Sequence, residues 1–209
     1  LALNKLKKYG HPVEAIGNNG PILITTLNGL LTSTNTGGAN INSGGLTDGL
    51  IGPWAIVDRE FASYIPGLGV GRLGQNGFAG YSVNTLTGTP IATDNIRAFA
   101  SVGPLLVDTT VNTFSLLNPT VAATTVNLGG KTLTLQGGGL LLALANDNVN
   151  IAINNGFITG GLANTASDLY IHVLPYGGTN RTFTMNAAIK DNGTGPLRVI
   201  MSGSDGAAN

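Results

Sequence analysis

The sequence predicts an all-β chain: a β-solenoid of stacked strands, with a β-sandwich as the alternative, preceded by one short helix. Three observations lead there. First, apolar and polar residues alternate in the stretch Val126-Asn-Leu-Gly-Gly-Lys-Thr-Leu-Thr-Leu. Extended chain puts Val126, Leu128, Leu133 and Leu135 on one face and Asn127, Thr132 and Thr134 on the other. Second, Val149, Ile151 and Ile153 repeat that pattern after a Gly-rich turn. Segments this short cannot bury their own apolar face and need a similar neighbour stacked on them. Third, charged residues make up 10% of the 209, against about a quarter in an ordinary soluble domain. Asn, Thr and Ser carry the polar surface instead, and these can ladder along stacked strands without charge repulsion.

Three regions follow in order. Region 1–50 holds the one helical signal, residues 1–9, with Leu3 and Leu6 on one side, Lys5 and Lys8 on another, and Gly10 as a stop. Apolar pieces from Pro21 to Leu27 and at Leu30–Leu31 then alternate with Ser/Thr/Asn/Gly clusters, reading as first rungs or as an arm. Region 51–104 is an aromatic-containing β module with a long loop. Trp54, Ile56, Phe61 and Tyr64 read as a local core, and Asp58, Arg59 and Glu60 as the seat of a structural ion pair. Gly67-Leu-Gly-Val-Gly-Arg-Leu-Gly has the look of a dinucleotide fingerprint, but no helix pattern follows it, so it is expected to be loop. Asp94 is expected to bond its own backbone in a turn that feeds a strand.

Region 105–209 settles into rungs: Val107 to Leu117, Val126 to Leu135, Val149 to Ile158, Leu169 to Leu174, Phe183 to Ile189 and Leu197 to Met201. Turns are expected between them at Asn118-Pro119, Gly129-Gly130, Gly137 to Gly139, Gly160-Gly161, Gly177-Gly178 and Gly193 to Gly195. That spacing suits a sandwich as well as a solenoid. Gly pairs in the turns, Asn and Thr beside the apolar positions, and few aromatics favour the solenoid.

Ten acidic and ten basic residues cancel, so no basic stripe exists to hold nucleic acid and no basic face to hold anionic lipid. No cysteine is present, which excludes a thiol nucleophile or thiol-bound metal. The longest strongly apolar run, Gly139 to Ala145, is far below the roughly 20 residues of a membrane helix. With no signal peptide or initiator Met, the sequence reads as a processed or truncated piece.

Val126-Asn-Leu-Gly-Gly-Lys-Thr-Leu-Thr-Leu-Gln-Gly-Gly-Gly resembles the core of autotransporter-associated β-strand repeats, also called passenger-associated transport repeats. Ile189-Lys-Asp-Asn-Gly-Thr-Gly-Pro-Leu-Arg-Val-Ile-Met-Ser-Gly looks like the segment introducing such a repeat. Gly52-Pro-Trp-Ala-Ile-Val-Asp-Arg-Glu-Phe-Ala-Ser-Tyr, with Ala92-Thr-Asp-Asn-Ile-Arg after it, is similar to a module of the large repeat-bearing surface proteins of planctomycetes and verrucomicrobia. The resemblance implies a right-handed parallel β-helix passenger, secreted and displayed at the cell surface. Lys131 and Gln136 replace residues that are usually small in the repeat.

No nucleophile elbow, phosphate loop or zinc-protease motif is present. His11 and His172 lie on different elements. Asp147, Asp168 and Asp191, spaced about one coil apart, could stack as a calcium edge or act as an acid/base pair. The preferred reading makes Asp147 and Asp191 turn residues and lets Asp168 start a strand. The expectation is therefore a non-enzymatic extracellular structural protein, with no cofactor, that self-associates into a fibre, surface layer or adhesive stalk. Leu3, Leu6, Ile22, Ile24 and Leu27 form the candidate assembly segment. The alternatives are a carbohydrate-active β-helix and an adhesin module that contacts surface polysaccharide, with the stretch from Trp54 to Tyr81 as the contact surface.

Overall fold

The apolar alternation starting at Val126 forms strands, and their partners lie one repeat away along the chain. The computed structural model describes residues 26–27, 30–31, 49–65, 69–75, 77–78, 80–82, 84–118, 123–144, 150–174 and 182–203. The helix expected over 1–9 lies outside them. Among the described residues every regular element is a strand, so the chain is all-β. β1 (Thr26–Leu27) and β2 (Leu30–Leu31) pair antiparallel. β3 (Ile56–Val57), β4 (Glu60–Ile65) and β5 (Gly69–Arg72) form a second, three-stranded antiparallel meander.

The remaining strands pair with one another in parallel. They are β6 (Asn95–Ala98), β7 (Thr109–Asn118), β8 (Thr124–Asn127), β9 (Thr132–Leu144) and β10 (Ile151–Asn154), then β11 (Phe157–Gly160), β12 (Ser167–Leu174), β13 (Phe183–Met185), β14 (Ala188–Ile189) and β15 (Leu197–Gly203). Their pairing defines three ladders. Val102, β8, β10 and β13 make the first. The leading parts of β7 and β9, with β11 and β14, make the second. The third is β6, the trailing parts of β7 and β9, β12 and β15. Parallel neighbours need a long crossover, and here each crossover is the passage through the other two ladders. The chain visits them in the same order each time.

Residues in register share a face, so inward side chains stack into columns. Ile96, Phe114, Leu140, Ile171 and Met201 form one column; Leu133, Ile158 and Ile189 form another. Phe114, Leu133, Leu140 and Ile158 are fully buried in one continuous core. Outward positions carry small polar residues. Asn186 Nδ2 donates to Asn154 Oδ1 at 2.8 Å across an offset of 32 residues, and Thr125 N to Ser101 Oγ at 3.1 Å across 24.

Two local expectations change. Gly137 to Gly139 is not a turn that ends a strand, because β9 runs straight through it. Gly138, at φ +79°, bends the strand where one ladder passes into the next, a conformation that only glycine adopts without strain. The run from Gly67 is also not all loop: its central residues Gly69–Arg72 are β5, held by backbone pairing to β4. Strands built on glycines escape a reading based on side-chain alternation.

The meander covers the outward side of the third ladder. Phe61 and Leu141, both fully buried, pack together with Leu50 and Leu73. Gly139 makes this possible, since a Cβ there would lie 2.9 Å from both the Phe61 ring and the Thr113 methyl. Asp58 and Arg59, at φ 45° and 68°, form the two-residue turn between β3 and β4, the geometry whose twist matches a hairpin. No helix among the described residues is long and apolar enough to cross a membrane.

Candidate functional site

Two places hold chemistry beyond simple packing: a polar seam under the meander, and the β13–β15 end of the ladders.

The seam centres on Glu60, which is 7% exposed. Arg97 Nη1 donates to Glu60 Oε1 at 2.7 Å, and the Tyr81 hydroxyl donates to Glu60 Oε2. The Arg97 guanidinium also lies over the rings of Tyr81 and Phe99, 4.4 and 4.9 Å from their centroids. Burial, then the Glu60 charge, push the Tyr81 phenol strongly upward, so it stays protonated and remains a donor. Below the pair, Asn95 Oδ1 accepts from Asn112 Nδ2 at 2.9 Å and from Thr113 Oγ1 at 2.7 Å, all buried. A buried carboxylate with both oxygens bonded ties the meander to the first strand of the third ladder. The ion pair expected around 58–60 is thus split: Glu60 pairs with Arg97, while Asp58 pairs at the surface with Arg72 at 2.9 Å.

His172 closes the seam on the other side. Its Nε2–H donates to the Pro53 carbonyl at 2.7 Å, which leaves Nδ1 to accept from Ser202 Oγ at 2.6 Å. Burial lowers its pKa, against the opposing pull of the Pro53 carbonyl. Both nitrogens are occupied in structural bonds.

Of the aspartates proposed as a calcium edge, Asp147 lies outside the described residues. Asp168 is gripped through both oxygens by Arg198, at 2.8 Å each, and that hydrogen bond holds its carboxyl below the usual range. Asp191 Oδ1 accepts the Leu197 backbone N–H at 2.8 Å, at the head of β15. Among the described residues no three His, Asp or Glu side chains gather as a metal site. Asp168 and Arg198, with Ala166, Ser167, Pro196 and Leu197, line an open cleft of ≈ 540 Å³. Of the residues expected in an assembly segment, Leu3, Leu6, Ile22 and Ile24 lie outside the described residues; Leu27 is in β1, paired with Leu30.

The ends of the ladders differ. At the β6 end the inward residues Ile96, Val102 and Leu105 are 0, 7 and 3% exposed, with Leu86 packed among them. At the far end Ile189, Val199 and Met201, equally inward by register, are 37, 40 and 64% exposed. Among the described strands, β13, β14 and β15 have ladder partners on one side only. Neither Met201 nor Val199 stands out in the sequence, because the alternation that marks them inward is the same alternation that marks a buried strand. What distinguishes them is that no described strand follows. No family model, curated protein or solved structure matches this chain.

Proposed function

We propose that this chain is a right-handed parallel β-helix serving as a non-enzymatic structural protein outside the cell, where it self-associates. The supporting observation is the set of three parallel ladders, which the chain visits in the same order each time. Right-handedness follows the general rule for parallel crossovers. Lateral packing is helped by outer faces of Asn and Thr, since 10% charged residues and a net charge of zero leave little repulsion between copies. The likeness to exported passenger repeats and the absence of cysteine fit a surface location. A structural role also suits the chemistry of the acidic groups. Asp168 is held ionised by Arg198 and so makes a poor general acid. Electron microscopy of the purified chain is the test, with regular assemblies expected; separate rods at every concentration would remove the reading.

The open cleft at Asp168 and Arg198 favours a second reading, an adhesin that contacts surface polysaccharide. Tyr170 adjoins it, its hydroxyl 3.3 Å from Asp168 Oδ2. Loss of glycan-array binding in Tyr170→Ala, with assembly intact, would select this reading.

A further inference from the structure

The cleft on the outer face of the third ladder has one polar wall and one apolar wall. Leu169 and Ile171 are buried in the core, so Asp168 and Tyr170 on the same strand point outward. Asp168 lies opposite Arg198 in register, and Ser167 opposite Leu197. Both walls therefore belong to strands already paired with each other, and the cleft opens sideways from the ladder whatever follows β15. Its volume of ≈ 540 Å³ is of the size that takes a small ligand.

Resting on the adhesin reading given above, we infer that this cleft is a subsite for a neutral polysaccharide. The hydroxyls of one sugar ring lie on Asp168 and Arg198, and its C–H face lies on Pro196, Leu197 and the adjoining Tyr170.

The hydrogen-bonding groups come first. Arg198 Nε and Nη2 donate to Asp168 Oδ1 and Oδ2 at 2.8 Å each, which leaves Nη1 without a partner among the described residues. The Arg198 side chain is 73% exposed. Arg198 holds the Asp168 carboxyl below its usual range, so this group accepts hydrogen bonds and donates none. An acceptor and a donor side by side match two neighbouring hydroxyls, each of which can give or receive a proton.

Charge decides between neutral and acidic polymers. Asp168 and Arg198 cancel, and Asp191, bonded to the Leu197 backbone N–H at 2.8 Å, adds a negative charge beside the cleft. An acidic polymer would meet a net negative site and would have to compete with Asp168 for the cation. That repulsion is a specificity element.

Tyr170 is set in place before any ligand arrives. Its hydroxyl donates to Asp168 Oδ2 at 3.3 Å, and its ring stacks on His172 with 12° between the planes. His172 is itself held by Pro53 and Ser202. A fixed ring costs little ordering on binding.

The test is affinity electrophoresis of the folded chain in gels that hold a neutral polymer (a glucan, a mannan or a galactan) or an acidic one (alginate or polygalacturonate). At least one neutral polymer is expected to retard the chain, and added salt should not relieve the retardation, since no net charge is involved. Arg198→Gln and Asp168→Asn should each weaken it by about ten-fold or more, the scale of one lost hydrogen bond to a charged group, with unchanged circular dichroism. Asp58→Asn, which opens the surface pair with Arg72 outside the cleft, should bind as the wild type does. Retardation by the acidic polymers, or retardation that salt relieves, would overturn the neutral class and leave the adhesin reading standing. Retardation by a neutral polymer that both cleft variants keep would place binding elsewhere and overturn the subsite. A chain that none of these polymers retards would overturn the subsite and the adhesin reading together.

Discussion

Both ends of the stacked ladders are built from the same kind of residue, Ile, Val, Leu and Met at inward positions, yet among the described residues one end is covered and the other is bare. At the β6 end the chain folds back over its own first rung, placing Leu86 in the core and a backbone hydrogen bond on Asn95. At the β15 end Met201 continues the column of Ile96, Phe114, Leu140 and Ile171, and it is 64% exposed, with no further described strand paired to β15. Burial in a stacked fold is therefore a matter of position in the stack, more than of residue type.

The column itself gives the largest effect. Phe114→Ala, fully buried, is expected to cost about 3–5 kcal/mol in urea unfolding, because it removes a large side chain and leaves a cavity. Met201→Ala in the same column should cost less than about 0.5 kcal/mol, as for an exposed substitution. Equal costs would mean that the end is covered in solution.

Next comes the seam that anchors the sealed end. Glu60→Ala leaves Arg97 and Tyr81 without their shared acceptor and should destabilise by roughly 3 kcal/mol, the scale for breaking a buried pair. The corresponding cut near the open end, Asp168→Ala, removes a surface pair. It should leave stability almost unchanged, as for an exposed pair, and differential scanning calorimetry on both variants measures the contrast.

The His172 contact gives a smaller, pH-dependent term. Its folded pKa is depressed, so the unfolded chain binds the proton more readily. Its contribution is intact above the unfolded value of about 6.5 and is lost as pH falls through the folded value. Melting temperature should drop between pH 7.5 and 5, and the drop should be smaller in His172→Gln. Asp168, whose pKa is lowered, acts in a separate window: its contribution is lost only as pH falls below the ordinary carboxylate range.

The strands of the second half were legible in part because their physics is local, but the stretches from Val149 to Ile158 and from Phe183 to Ile189, each read as one rung, hold two strands that belong to different ladders. Val126, Leu133, Ile151 and Ile158 alternate with polar residues, and turns at Gly129-Gly130 and Asn192–Gly195 carry their own signal. The β-class follows from that alternation. Parallel partnership does not, since the offset between Val126 and Ile153 is not written in either strand alone. The polar seam was hidden for a related reason: Glu60, Tyr81 and Arg97 are far apart in sequence, and Glu60 read as the neighbour of Arg59. The strand through Gly137 to Gly139 was hidden because its important feature is a missing side chain, which gives Phe61 its place on the sheet.

Hydrogen–deuterium exchange tests the contrast between the two ends most directly. In dilute solution β6, β7 and β9 should be strongly protected, and β13, β14 and β15 should exchange fastest among the parallel strands. Equal protection of both ends would contradict the contrast between them.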